Sequence, residues 1–128
     1  MVRQMSVALQ QPFVDLVIGH EGTIEPGRLS ALLHITKGDL AQTSGLSRDA
    51  VSKVARLRSP ATQARLREVA EIINRVLPWC GTVSQAFAWY RSQPLPAFGD
   101  QTAAELVRDG RAGHVMSYLG GLALGGYA

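Results

Sequence analysis

Six cations crowd into residues 47–67 of this chain: Arg48, Lys53, Arg56, Arg58, Arg65 and Arg67. One acid, Asp49, stands among them, so the stretch carries a net +5, while residues 1–46 and 68–128 each sum to −1. The formal charge of +3 at pH 7 is therefore the property of one segment. Lys and Arg displace counterions from phosphates and supply most sequence-independent affinity for nucleic acid, so a footprint of this kind points to a polyanionic partner. A solvated helix face has a similar composition, and the residues interleaved with the charge decide between the two.

Those residues follow a helix-turn-helix pattern from residue 37 to residue 56. Ala41 is small where a second helix crosses the first at close range, and Gly45 stands at the turn, where a left-handed backbone suits glycine. Ser44 precedes that turn, and Leu40, Leu46, Val51 and Val54 are expected to fill the wedge between the helices. The second helix is expected to run from residue 47 to residue 57, with Ser47 as its cap and Val51, Val54 and Leu57 facing inward. Arg48, Asp49, Ser52, Lys53 and Arg56 then face outward. The first turns of such a helix meet base edges in the major groove, which makes Arg48 the candidate for bidentate contact with guanine and Ser52 a weaker reader. Lys53, Arg56 and Arg58 are placed against phosphates, where they set position rather than sequence. A helix pair used only for packing is the alternative.

Other chemistry is sparse. His20, His34 and His114 are far apart, and none lies four residues from a second ligand type, so no metal site is expected. Cys80 is the single cysteine, without a nearby His, and reads as an inert thiol. Gly120-Gly121 and Gly125-Gly126 lack the preceding strand and following helix of a phosphate loop. No catalytic residue and no cofactor is expected, and the chain reads as a non-enzyme.

The elements that must position the basic segment are almost all helical, which makes the fold class all-α. Pro26 suits the first turn of a helix bearing Leu29, Leu32 and Leu33. Thr36 caps the next, with Asp39 three residues on, and Ser59-Pro60 opens a longer helix with Leu66, Val69, Ile73 and Val76 on one stripe, expected to stop before Pro78. Thr82 with Gln85 and Thr102 with Glu105 make capping boxes, and a last helix carries Val115, Leu119 and Leu122. Residues 13–18 could pass for a strand, but a lone strand has nothing to pair with, so a helix is expected. The 128 residues suffice for one domain or two small ones, and 46% hydrophobic against 18% charged residues excludes a wholly disordered chain. No apolar run approaches the ~20 residues that span a bilayer, and residues 1–19 carry Gln4, Gln10, Gln11 and Asp15 where a signal peptide needs an apolar core. A soluble, cytoplasmic protein without a membrane partner is expected.

From about residue 62 onward the sequence resembles the Xre/MbcA/ParS antitoxin family. A helix with Leu66, Arg67 and Val69 leads to Ala86-Phe87-Ala88-Trp89, which matches the family's Ala-x-x-Trp core. A proline-containing loop ending in Gly99 follows, then the Thr-x-x-Glu-Leu segment of Thr102, Glu105 and Leu106, then Gly110 and a last helix that ends in glycine. Ala103 stands where family members usually carry proline, and the tail after Leu122 is more apolar and glycine-rich than the family pattern. The organisation implied is an extension over residues 1–25, helical in expectation, a helix-turn-helix over 26–60 and a toxin-binding domain over 61–128.

What the resemblance implies is the antitoxin of a type II toxin–antitoxin module, a repressor of its own operon. Its partner is a RES-domain toxin, a family similar in fold to ADP-ribosyl-transferring enzymes and acting on NAD, whose active-site cleft the antitoxin obstructs. Trp89, Phe87 and Tyr90 are expected to pack in the core. Toxin contact is assigned to Arg108 and Arg111, both expected to be exposed, and to the C-terminal Leu124, Gly125, Gly126 and Tyr127. Operator DNA and a second copy complete the partners, the homodimer forming through the apolar helices between residues 60 and 90. The competing reading is a stand-alone transcriptional regulator whose second half dimerises or binds an effector.

Overall fold

The structure is a computed structural model and describes residues 12–19 and 21–123. Nine α-helices stand among these residues: α1 (Phe13–Val17), α2 (Pro26–Leu33), α3 (Lys37–Ser44), α4 (Arg48–Ser52), α5 (Val54–Leu57), α6 (Pro60–Cys80), α7 (Val83–Ser92), α8 (Ala103–Arg108) and α9 (Ala112–Ala123). A single 3₁₀ turn, Pro96–Phe98, joins α7 to α8. The described residues hold no strand; two isolated antiparallel bridges, Ile18 with Ile24 and Leu95 with Gln101, pin the ends of loops. The chain is mostly helical, and residues 13–17 adopt the helix expected of them.

Local chemistry explains where the helices start. Thr36, Ser47, Ser59, Thr82 and Thr102 each accept a hydrogen bond from the backbone N–H three residues on. Such caps stabilise a helix start by about 0.5–2 kcal/mol. In α8 the box is closed on both sides: Thr102 accepts from the Glu105 N–H at 3.1 Å, and the Glu105 carboxylate accepts from the Thr102 N–H at 2.8 Å. That donation draws the Glu105 carboxyl below its ordinary value. At Thr82 only the first half is present, through the Gln85 N–H at 3.1 Å.

The central helix α6 organises the core. Leu66, Val69, Ala70, Ile72, Ile73 and Val76 are fully buried on one broad stripe, as helical spacing requires. They join Phe13 and Val17 of α1, Leu29 of α2, Leu40 and Ala41 of α3, Ala86, Phe87 and Tyr90 of α7, Leu106 of α8 and Leu119 of α9 in one continuous cluster. The core thus draws on residues from both sides of position 60. Helix α6 also passes through Pro78, where the sequence implied a stop, and ends at Gly81 instead. Proline deprives the Asn74 carbonyl of its helical partner, but one turn from the end this costs a single bond, and the Gly81 N–H closes the last turn on the Leu77 carbonyl at 2.9 Å. The apolar residues expected to form a dimer surface are spent inside this core; of the large ones between residues 60 and 90, Trp79 stands out at 54% exposure. No helix among the described residues is long and apolar enough to cross a membrane.

Candidate functional site

The basic segment is presented by the corner between α3 and α4. Helix α3 ends in a left-handed residue, Gly45 at φ +72°, whose N–H bonds the Gln42 carbonyl at 3.3 Å while the Leu46 N–H reaches back to the Ala41 carbonyl at 2.8 Å. This paired closure leaves the last two carbonyls of α3 without a helical partner. Both are satisfied from the other half of the chain. The buried Tyr90 hydroxyl donates to the Thr43 carbonyl at 2.8 Å, and Arg65 Nη1 donates to the Ser44 carbonyl at 2.8 Å. Burial pushes the Tyr90 phenol well above its ordinary value, against the opposing pull of the Arg108 and Arg65 charges, so the hydroxyl remains a donor. Arg65 is further held by Glu68 at 3.4 Å.

Gly45 is confined as well as left-handed. A Cβ there would stand 2.8 Å from Arg65 Nη1 and 3.1 Å from the Cα of Arg108. Three elements, the α3 end, α6 and α8, thus meet at one glycine, and the direction in which α4 leaves the corner is set by all three.

On the outward side, Ser47 is consumed as the α4 cap, accepting from the Ala50 N–H at 3.1 Å. Arg48 and Asp49 follow in the first turn, both exposed, and the Arg48 guanidinium lies alongside Gly38 of α3. Ser52 is exposed, but its hydroxyl is turned inward to the Arg48 carbonyl at 2.7 Å. Lys53 and Arg56 are exposed and form no ion pair with any described residue. Arg58 differs: it pairs with Glu21 at 3.2 Å across the surface. The six cations of the stretch therefore divide, with Arg65 and Arg58 engaged by the protein and Arg48, Lys53, Arg56 and Arg67 turned to solvent.

The second helix is not the continuous element expected over residues 47–57. It breaks at Lys53, which is extended at φ −90°, ψ 126° and separates α4 from the single turn of α5. The Ser52 hydroxyl donates to the Arg48 carbonyl just before the break, a bond of the kind that loosens and bends a helix. The break rotates the single turn of α5 off the inward face. Val54, expected in the wedge, is 62% exposed, and Leu57 is half-buried, while Ala50 and Val51 form the buried contact.

The residues assigned to a protein partner fall in different settings. Arg108 is exposed at the end of α8. Arg111, expected to be exposed, is half-buried and engaged: Nη1 donates to Gln101 Oε1 and Nε to His114 Nδ1, each at 3.2 Å. It reads as a brace between the α7–α8 loop and α9, because its backbone N–H also bonds the Leu106 carbonyl at 2.7 Å. Leu124, Gly125, Gly126 and Tyr127 lie outside the described residues. Phe87 and Tyr90 are core residues, and Trp89 is half-buried.

Sequence reasoning missed the two clamps. Tyr90 and Arg65 are 47 and 21 residues from the carbonyls they serve, and no local pattern marks such a pairing. Among the described residues no group of three or more His, Cys, Asp or Glu side chains comes together as a metal site. No protein-family model matches the chain, and neither a curated protein nor a solved structure matches it.

Proposed function

We propose that the chain is a DNA-binding antitoxin in which α3 and α4 act as a helix-turn-helix and the C-terminal half engages a RES-domain toxin. The observation that carries the DNA half is the charge on the clamped corner. Arg48 on α4, Lys53 at the break and Arg56 on α5 are all exposed, on a segment that leaves a corner held by Tyr90, Arg65 and Gly45. A rigid scaffold with solvent-facing cations is what phosphate positioning needs. Arg48 sits in the first turn of α4, where base edges are met, and Arg58 must exchange Glu21 for a phosphate to take part. As an operon repressor the chain acts as a homodimer in the cytoplasm.

The toxin half rests on the family resemblance over residues 62–128, with Arg108 and the C-terminal tail as its contacts. The experiment is co-expression of the chain with the gene adjacent to its own, read by growth and by pull-down, together with gel-shift of the DNA upstream of the pair. Growth rescue with co-purification supports the antitoxin; a DNA shift without any bound partner leaves the stand-alone regulator. Absence of both the rescue and the shift overturns both readings.

A further inference from the structure

Helices α3, α7 and α8 enclose a cleft of ≈ 310 Å³ lined by Asp39, Gln42 and Thr43 from α3, Phe87 and Arg91 from α7, and Arg108 from α8. The Phe87 ring closes its inner end, stacked on Tyr90 at 6.1 Å and 20°, and the Arg91 guanidinium stands 5.4 Å from the Phe87 centroid. The Arg108 backbone passes close to Gly45. The Arg91 contact with the ring leaves its N–H groups unspent.

Four arginines are engaged by the protein, and Arg48, Arg56, Arg67 and Arg75 are exposed without a partner among the described residues and away from this cleft. Arg28 donates to the Ile18 carbonyl, Arg58 pairs with Glu21, Arg65 with the Ser44 carbonyl and Glu68, and Arg111 with Gln101 and His114. Arg91 and Arg108 make no such bond or ion pair with any described residue, yet they line the same cleft from two helices. Two arginines lining one concavity offer guanidinium forks to an oxyanion, which accepts several N–H bonds at once. The opposite wall adds selectivity. The Asp39 carboxylate can only accept, so a guest must bring a donor beside its anionic oxygens, and the Gln42 amide can serve either role. The volume lies at the small end of ligand pockets and suits a compact guest.

We propose that this cleft binds a small molecule bearing a phosphoryl or carboxylate group together with a hydroxyl or other hydrogen-bond donor. The cleft shares Arg108 with the proposed toxin contacts and α3 with the proposed helix-turn-helix, but its test stands apart from both readings, because it is made on the chain alone. The test is a titration of the full-length protein followed by NMR of backbone amides and arginine Nε–H groups, with inorganic phosphate and malate as the two oxyanion probes and sodium chloride at matched ionic strength as the control.

Saturable movement of the Arg91 and Arg108 Nε–H signals by phosphate or malate, with Arg67 unmoved, is the expected result, and the tighter of the two names the group the site prefers. Arg91→Gln or Arg108→Gln then weakens binding by about tenfold or more, whereas Arg67→Gln leaves it unchanged. Both substitutions are at exposed positions, and an unchanged amide spectrum elsewhere checks the fold. Equal movement with chloride, parallel movement of Arg67, or undiminished binding in both variants overturns the proposal.

Discussion

The Tyr90 hydroxyl donates to the Thr43 carbonyl at 2.8 Å, joining α7 to the last turn of α3 across 47 residues of sequence. This contact closes a carbonyl that the left-handed end of α3 leaves over, and it does so in the dry core. Tyr90→Phe removes the donor and leaves the carbonyl buried and unsatisfied, which costs about 1–3 kcal/mol. Chemical denaturation of the two proteins checks this, and equal midpoints would show that the carbonyl finds another partner.

The same residue gives the protein an alkaline limb. Burial raises the Tyr90 phenol above its ordinary value of 10.0, so the folded state holds this proton more tightly than the unfolded chain. Its contribution is complete below pH 10 and drains away as pH climbs toward the folded-state value. Stability measured from about pH 8 to about pH 11 should therefore fall more steeply for the wild type than for Tyr90→Phe, which lacks the titrating group.

Gly45 and Gly110 separate backbone strain from crowding. Both are left-handed, at φ +72° and +78°, but a Cβ on Gly110 meets nothing within 4 Å, whereas one on Gly45 meets Arg65 and Arg108. Gly110→Ala should cost about 1–2 kcal/mol, the strain of a left-handed alanine. Gly45→Ala adds displacement of Arg65 from the Ser44 carbonyl and should be the more damaging by thermal melting. Equal losses would mean that the corner yields without cost.

Two further glycines should respond in the opposite sense. Gly120 and Gly121 lie within α9, and an added Cβ at either touches nothing within 4 Å. Alanine at each should stabilise the helix by roughly 0.5–1 kcal/mol, lost backbone entropy being the whole of the difference. A lower melting temperature for the double variant would reveal a close approach to these glycines by another chain or segment.

The proposed nucleic-acid face makes its own prediction. Arg48→Ala should cost about 1–3 kcal/mol and relax base preference at one position of the DNA site. Lys53→Ala and Arg56→Ala should weaken binding to all sequences and flatten its salt dependence. Glu21→Gln frees Arg58 from its 3.2 Å partner and should strengthen binding at low salt, with the gain screened away as salt rises. Anisotropy titrations across a salt series read all four, and unchanged slopes would assign the charge to a solvated surface.

The helices and their starts are legible in the residues alone, because caps and apolar spacing act within a few positions: Thr36, Ser47, Ser59, Thr82 and Thr102 all cap as their places imply, and Leu66, Val69, Ile73 and Val76 are all buried. The clustering of charge in residues 47–67 is equally legible, since it is a count. What each charge does is not. Arg58 meets Glu21 and Arg65 meets Ser44 through the way distant segments pack, and the same packing brings Arg91 and Arg108 to one cleft. Periodicity also misjudges Val54, because it assumes an unbroken helix to residue 57, whereas the first segment ends at Ser52 and Lys53 is extended. Short-range preferences write themselves into neighbouring residues, but a hydrogen bond spanning 47 positions leaves no mark in either segment until the core has brought them together.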